Sequence, residues 1–191
     1  MVSKEKINEF ISRAYKTACE HGFHDEERSD AHWMMLVVSE IGEMMEADRK
    51  NRHADLDGFE RSTMCYARRF ENYVKDTLED ELADVCIRLF DYCGTRSLTP
   101  QMENDRLEGM EVEFERLFGK FSVCEHCFTL SCIVSDICRY CVSDEDKELQ
   151  LGLILSMCFE FARHHKIDLE WHIEHKMAYN ESRPNKHGKG Y

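Results

Sequence analysis

Residues 36–50 read LVVSEIGEMMEADRK and residues 79–93 read EDELADVCIRLFDYC. Apolar positions in both recur at helical spacing, and neither contains proline or an alternating apolar–polar run. In the first, Leu36, Val37, Met44 and Ala47 continue a stripe that begins at Trp33, with Glu40 inside it and Glu43 three residues on. In the second, Glu81 stands among Leu78, Leu82, Val85 and Leu89, with Asp84 three residues on at the edge. A spacing of i, i+3 puts each acidic pair on one side of its helix.

The same reading extends outward. A first helix is expected from about Ser3 to Glu20, with Ile7, Phe10, Ile11, Ala14 and Ala18 on its buried side. HGFHDEERSD ends it, and Ser29 or Asp30 can cap a second helix over about 30–50. Residues 51–66 read as a loop with room for a short helix, and a third helix is expected over about 69–93. Past the turn at Pro100 come a helix from about Gln101 to the 130s or Cys141, one over about 147–165, and a short one from Asp168 to about Asn180. No strand of useful length is visible. The fold class is therefore all-α, built from antiparallel helix pairs. The helices near 121–141 and 147–166 are expected to complete a four-helix bundle with those at 30–50 and 69–93.

Composition bounds the function. Of the 191 residues 42% are hydrophobic, enough for a real core, while Gly 9 and Pro 2 are few, which favours long helices. The net charge of −13 argues against nucleic acid or an anionic membrane as the main partner. No run of ~18 apolar residues is present to span a bilayer. MVSKEKINEF lacks an apolar signal core, so the expected location is the cytoplasm. The 10 cysteines are read as reduced thiols rather than a disulfide scaffold.

Acidic side chains facing a core carry a desolvation cost of several kcal/mol each, and mutual repulsion adds to it. A divalent cation resolves both, and hard oxygen ligands suit Mg²⁺ better than Zn²⁺. The plain alternative is a set of surface or partly buried acids. ExxE also occurs at Glu43/Glu46, Glu108/Glu111 and Glu145/Glu148, so the motif gains weight only from its apolar neighbours.

Two cysteine pairs, Cys124/Cys127 and Cys138/Cys141, have the spacing of zinc ligands. They also follow one helical stripe with Phe121, Phe128, Val134 and Ile137, preceded by Phe114, Leu117 and Phe118. On one straight helix Cys124 and Cys138 would lie ~21 Å apart, so core packing is the favoured reading over zinc. His164 and His165 at a helix end read as dipole partners rather than ligands.

The paired acidic segments resemble the ExxE and ExxD signature of the MazG-like all-α nucleotide pyrophosphohydrolases. The end, HIEHKMAYNESRPNKHGKGY at 172–191, resembles the KxxxNxxR tail of that family. The resemblance covers about 30–50, 75–93 and 168–191. It implies one MazG-like domain over 1–191, with an insertion near 50–70 and an extra helical pair over 101–166. It further implies hydrolysis of a nucleoside triphosphate, a dNTP by preference, to the monophosphate and pyrophosphate, in nucleotide-pool control. The metal would be Mg²⁺, with Mn²⁺ as a substitute, held by Glu40, Glu43, Glu81 and Asp84, and Glu40 or Glu43 would take the proton. Lys176, Asn180, Arg183, Lys186 and Lys189 would bind substrate. A homo-oligomer, dimer or larger, is expected. Trp33, His32 and Tyr179 are weaker candidates for base contacts, since a Trp in an apolar stripe is ordinarily core. The competing functions are a non-catalytic helical nucleotide-binding or regulatory protein and a zinc-stabilised interaction module.

Overall fold

The computed structural model describes residues 2–102 and 120–183. Among them are eight helices and no strand: α1 (Lys4–Glu20), α2 (Asp30–Arg49), α3 (Leu56–Arg61), α4 (Tyr66–Tyr73), α5 (Leu78–Arg96), α6 (Val123–Arg139), α7 (Asp144–His165) and α8 (Leu169–Glu181). The all-α architecture matches the periodicity. The first part of the helix expected from Gln101, including Phe114, Leu117 and Phe118, lies outside the described residues, as do Lys186 and Lys189.

The helix starts are written locally. Ser3, Ser29, Thr77, Ser122, Ser143 and Asp168 each cap a helix by accepting from the backbone N–H three residues on. Ser29, not Asp30, caps α2. α1 closes at Gly22, whose φ of 75° lets Phe23 N–H donate back to the Ala18 carbonyl.

One expected helix is divided. The stretch 69–93 breaks at 74–77, where Asp76 takes φ 60° and Thr77 Oγ1 both donates to the Val74 carbonyl at 2.6 Å and caps Asp80 N–H. Two local hydrogen bonds replace the helical ones there. The break matters for the site, because Glu79, Asp80 and Glu81 now stand in the first turn of α5, where the helix dipole favours negative charge.

α5 is the axis of the fold and packs against α1, α2, α7 and α8. The contacts Asp30–Arg96, Glu40–Arg88 and Arg52–Leu78 pair rising positions of the α2 strand of chain with falling positions of α5, so the two run antiparallel. α6 packs on α2, α7 packs on α6 and α5, and the expected four-helix ring closes. Gln150 on α7 donates to the Ile133 carbonyl of α6, as an antiparallel hairpin requires. Gly152 admits the chain after α5: a Cβ there would sit 2.1 Å from the Gln101 carbonyl oxygen. One large core joins these helices, from Ile7 and Phe10 to Phe161 and Met177.

The α6 stripe is only partly core. Cys127, Leu130, Val134 and Ile137 are buried, but Cys124, Phe128 and Cys138 are exposed and Cys141 is half-buried. α6 packs mainly on α2 and α7; Phe128 stays 72% exposed, while Cys124 Sγ reaches Met45 Sδ of α2 at 3.9 Å. Zinc ligation by both pairs finds no support, since an unbroken helix separates Cys124 from Cys138 by ~21 Å. No cysteine takes part in a potential metal-binding group among the described residues. All ten cysteines are unbridged. No helix among the described residues is long and apolar enough to cross a membrane.

Candidate active site

α2 and α5 present their acidic turns to each other. Glu40, Glu43 and Glu81 bring carboxylate oxygens within 4.8 Å of one another. Glu40 and Glu81 are buried and Glu43 is exposed. They line a cleft of about 190 Å³ that also receives Asp84, Lys176, Asn180 and Arg183. One water needs only ~15 Å³ by the same measure, so the cleft admits far more than a trapped solvent molecule. Sequence reasoning placed all of these residues at one site, and the fold brings the described ones together.

Their roles differ from the expected quartet. Asp84 stands outside the three-carboxylate group and pairs with Lys176 at 2.7 Å. Lys176, expected to meet phosphate, is 5% exposed and also pairs with Asp80 at 2.7 Å. Its ammonium is held well above the ordinary lysine range by these two carboxylates, which outweigh its burial. Glu40 Oε1 accepts from Arg88 Nε at 2.9 Å. Neither Glu43 nor Glu81 has an ion pair among the described residues.

Asp80, Asp76 and Arg88 were not singled out from the sequence. Asp80 Oδ2 accepts from Asp76 N–H at 3.0 Å and from Lys176, while its buried Oδ1 has no partner. Asp76, Asp80 and Glu81 form a second close carboxylate group. The available signal was the run of acids after Thr77, but it reads as an ordinary helix start. Arg88 lies four residues past Asp84, on the same face, and only the α2–α5 contact shows that it meets Glu40.

The segment 50–77 positions α8. Phe59, Phe70, Val74 and Tyr179 form a separate small core, bordered by Tyr66 and Trp171. Tyr66 Oη donates to the His175 carbonyl at 2.6 Å, and Tyr179 Oη donates to Glu71 at 3.2 Å. On its other side α8 is tied to α1 through Arg13, which meets Glu174 at 2.6 Å and Glu181 at 2.5 Å, and through the Lys6–Glu174 pair. α8 is thus clamped from both flanks with Lys176 directed inward. Tyr179 belongs to this clamp, and Trp33 is a buried residue stacked on His24. Neither they nor His32 line the cleft, so the weaker base-contact candidates are not at the site.

Burial, with Asp84 close by, pushes the Glu81 carboxyl up to about 9 and raises Glu40 as well. Burial also raises Asp80, to about 6, against the pull of Lys176. Glu81 therefore takes a proton at neutral pH unless a cation replaces it. This is the fit expected of a divalent-ion site: three convergent oxygen ligands, two of them buried, and a carboxyl group with no cation of its own. No family model, curated protein or solved structure matches this chain.

A stability prediction follows from Glu81. Below about pH 4.5 the group is protonated in both folded and unfolded chains and contributes nothing. Between there and about 9 the unfolded chain loses the proton first, so without divalent ions stability falls as pH rises. Glu81→Gln removes this cost and is expected to stabilise the metal-free protein at pH 7.5 by ~1–3 kcal/mol. Thermal melts in EDTA should show a rise of ~5 °C. Mg²⁺ should raise the wild-type melting temperature more than the variant's. A variant less stable than wild type in EDTA would contradict the account.

Proposed function

We propose that this chain is a Mg²⁺-dependent nucleoside triphosphate pyrophosphohydrolase of the MazG-like kind, cleaving a dNTP to the monophosphate and pyrophosphate in nucleotide-pool control. The observation that supports it is the convergence of Glu40, Glu43 and Glu81, beside Asp84, with Lys176, Asn180 and Arg183 in one cleft. Carboxylates for a cation and a guanidinium for phosphate oxygens come together from α2, α5 and the end of α8. A cytoplasmic location and a homo-oligomeric state belong to the same reading.

Glu40, Glu43 and Glu81 would hold the ion, which when bound supplies positive charge to phosphate oxygens and acidifies a coordinated water. Mn²⁺ would be accepted by the same oxygens. Glu43 is the better proton acceptor of the two candidates. It is exposed to the cleft without an ion pair, whereas Glu40 Oε1 is occupied by Arg88. Lys176 keeps Asp80 and Asp84 fixed and charge-balanced. Asn180 and Arg183 stand four and seven residues further along the chain and also line the cleft, where a guanidinium suits phosphate oxygens.

The test is a panel of ribo- and deoxynucleoside triphosphates, including dUTP and dCTP, with Mg²⁺ or Mn²⁺, scoring pyrophosphate against orthophosphate. Pyrophosphate release is expected, and its absence across the panel would overturn the enzymatic reading. Removing residues 182–191 takes away Arg183, Lys186 and Lys189. It is expected to raise the apparent KM roughly tenfold or more, the loss of at least one charge-assisted phosphate contact. Unchanged kinetics would remove the tail from the site.

A further inference from the structure

The cleft does not end at the acidic cluster. Glu81, Asp84, Arg88 and Asp91 all line it, spaced three, four and three along one face of α5. From Glu81 to Asp91 this face runs ~15 Å. That is comparable with the reach of a nucleotide from its phosphates to the far edge of its base. At the Asp91 end the facing wall is α1 and the turn behind it. Ala14, Thr17 and Ala18 offer small side chains there, and Ile87 faces them from α5. Small side chains thus leave a slot between α1 and α5, with His21 and Phe23 of the turn also lining the cleft.

One buried charge stands in that slot. Asp91 is 4% exposed, yet it lines the cleft. His24 Nε2 donates to its Oδ1 at 2.8 Å. His24 is itself fixed, stacked on Trp33 at 5.0 Å between ring centroids and met edge-on by Tyr15 at 5.1 Å. The carboxylate is therefore held in one orientation by a side chain that packing prevents from turning. Asp91 lies three turns from Glu81 and has no part in the carboxylate groups able to hold an ion.

We propose that this end of the cleft receives a nucleobase carrying an exocyclic amino group, and that Asp91 is the acceptor that selects it. The proposal rests on the nucleotide reading above and adds the class of base. A carboxylate cannot donate, so it favours a ring edge that presents N–H and repels one that presents oxygen. An exocyclic amine projects from the ring and can reach a recessed acceptor. Cytosine presents such a donor where thymine and uracil present a carbonyl oxygen. The ring N–H of uracil is flanked by carbonyl oxygens on both sides, so its approach sets oxygen against oxygen. Burial of Asp91 strengthens the discrimination, because little water reaches it to relieve a mismatched pair. His24 acts as a positioning residue, through Asp91.

Equilibrium binding of the full chain separates the two ends of the cleft. The probes are the non-hydrolysable α,β-imido analogues of dCTP and dUTP, with tripolyphosphate as the phosphate-only control, all in Mg²⁺. Wild type is expected to bind the dCTP analogue roughly tenfold or more tighter than the dUTP analogue, the least that one hydrogen bond to a charged group gives. Asp91→Asn can donate as well as accept, and should abolish or invert this ratio with tripolyphosphate affinity unchanged. Ala18→Phe fills the slot without touching Asp91, and should weaken both analogues while sparing tripolyphosphate. Equal wild-type affinities, or a ratio that survives Asp91→Asn, would overturn the assignment while tripolyphosphate binding left the nucleotide reading standing. Loss of tripolyphosphate binding in wild type would instead bring down that reading, and this proposal with it. Should Asp91→Asn fail to fold, the wild-type ratio and Ala18→Phe decide.

Discussion

Lys176→Met is expected to destabilise the protein by ~3–5 kcal/mol, the cost of removing one partner from a buried ion pair. Methionine keeps the length and apolar stem of the side chain, so the loss is that of the charge. Lys176 is paired with Asp80 and Asp84, each at 2.7 Å, and Asp80 is 1% exposed. Without the ammonium, two acids face each other with no countercharge, and Asp80 Oδ1 already lacks a partner. The expected fall in melting temperature is ~6–20 °C for a chain of this size. It should deepen as pH rises through the carboxylate range, because Asp80, buried without its countercharge, holds its proton in the folded chain and loses it first in the unfolded one. Adding Asp80→Asn should recover part of the loss, since an amide needs no countercharge. A fall below ~1 kcal/mol would show that the triad is not a net structural element.

Glu43→Gln is expected to abolish pyrophosphate release, by ~10³-fold or more, while leaving the fold intact. Glu43 is exposed and has no ion pair among the described residues, so its loss should change stability by no more than ~0.5 kcal/mol. Glutamine preserves shape and removes both the negative charge on the ligand and its capacity to take a proton. The unfolding curve and the turnover rate should therefore separate: the first unchanged, the second gone. Wild-type turnover in this variant would show that Glu43 serves neither as a ligand nor as the proton acceptor. Comparison with Glu81→Gln sharpens the result, because that variant is expected to gain stability as it loses metal affinity.

Much of this architecture is legible in the chain itself. Helical spacing at Leu36–Ala47 and Leu78–Leu89 fixes which faces are buried, and caps at Ser29 and Asp168 set where helices begin, whereas the helix expected from about Lys147 starts at Asp144 because Ser143 caps it. Glu40, Glu43, Glu81 and Asp84 stood out because charged side chains interrupted apolar stripes. Where one periodic signal covered two structures, sequence reasoning went astray. The interval 69–93 keeps its periodicity through the turn at 74–77, since the break depends on Thr77 bonding back to Val74 and on the backbone angle of Asp76. In α6, Phe128 has the residue type of a core and is 72% exposed.

The sequence by itself determined most of the helices and caps and marked out the four acids of the cleft, because propensity, capping and periodicity act over a few residues. Only the tertiary structure decided how those charges are shared: Arg88 with Glu40, Lys176 with Asp80 and Asp84, and Glu43 and Glu81 left to one another across the cleft. Charge sharing falls off within a few ångströms and is indifferent to separation along the chain, so Lys176 and Asp80, 96 residues apart, become partners only once α8 is clamped against α5.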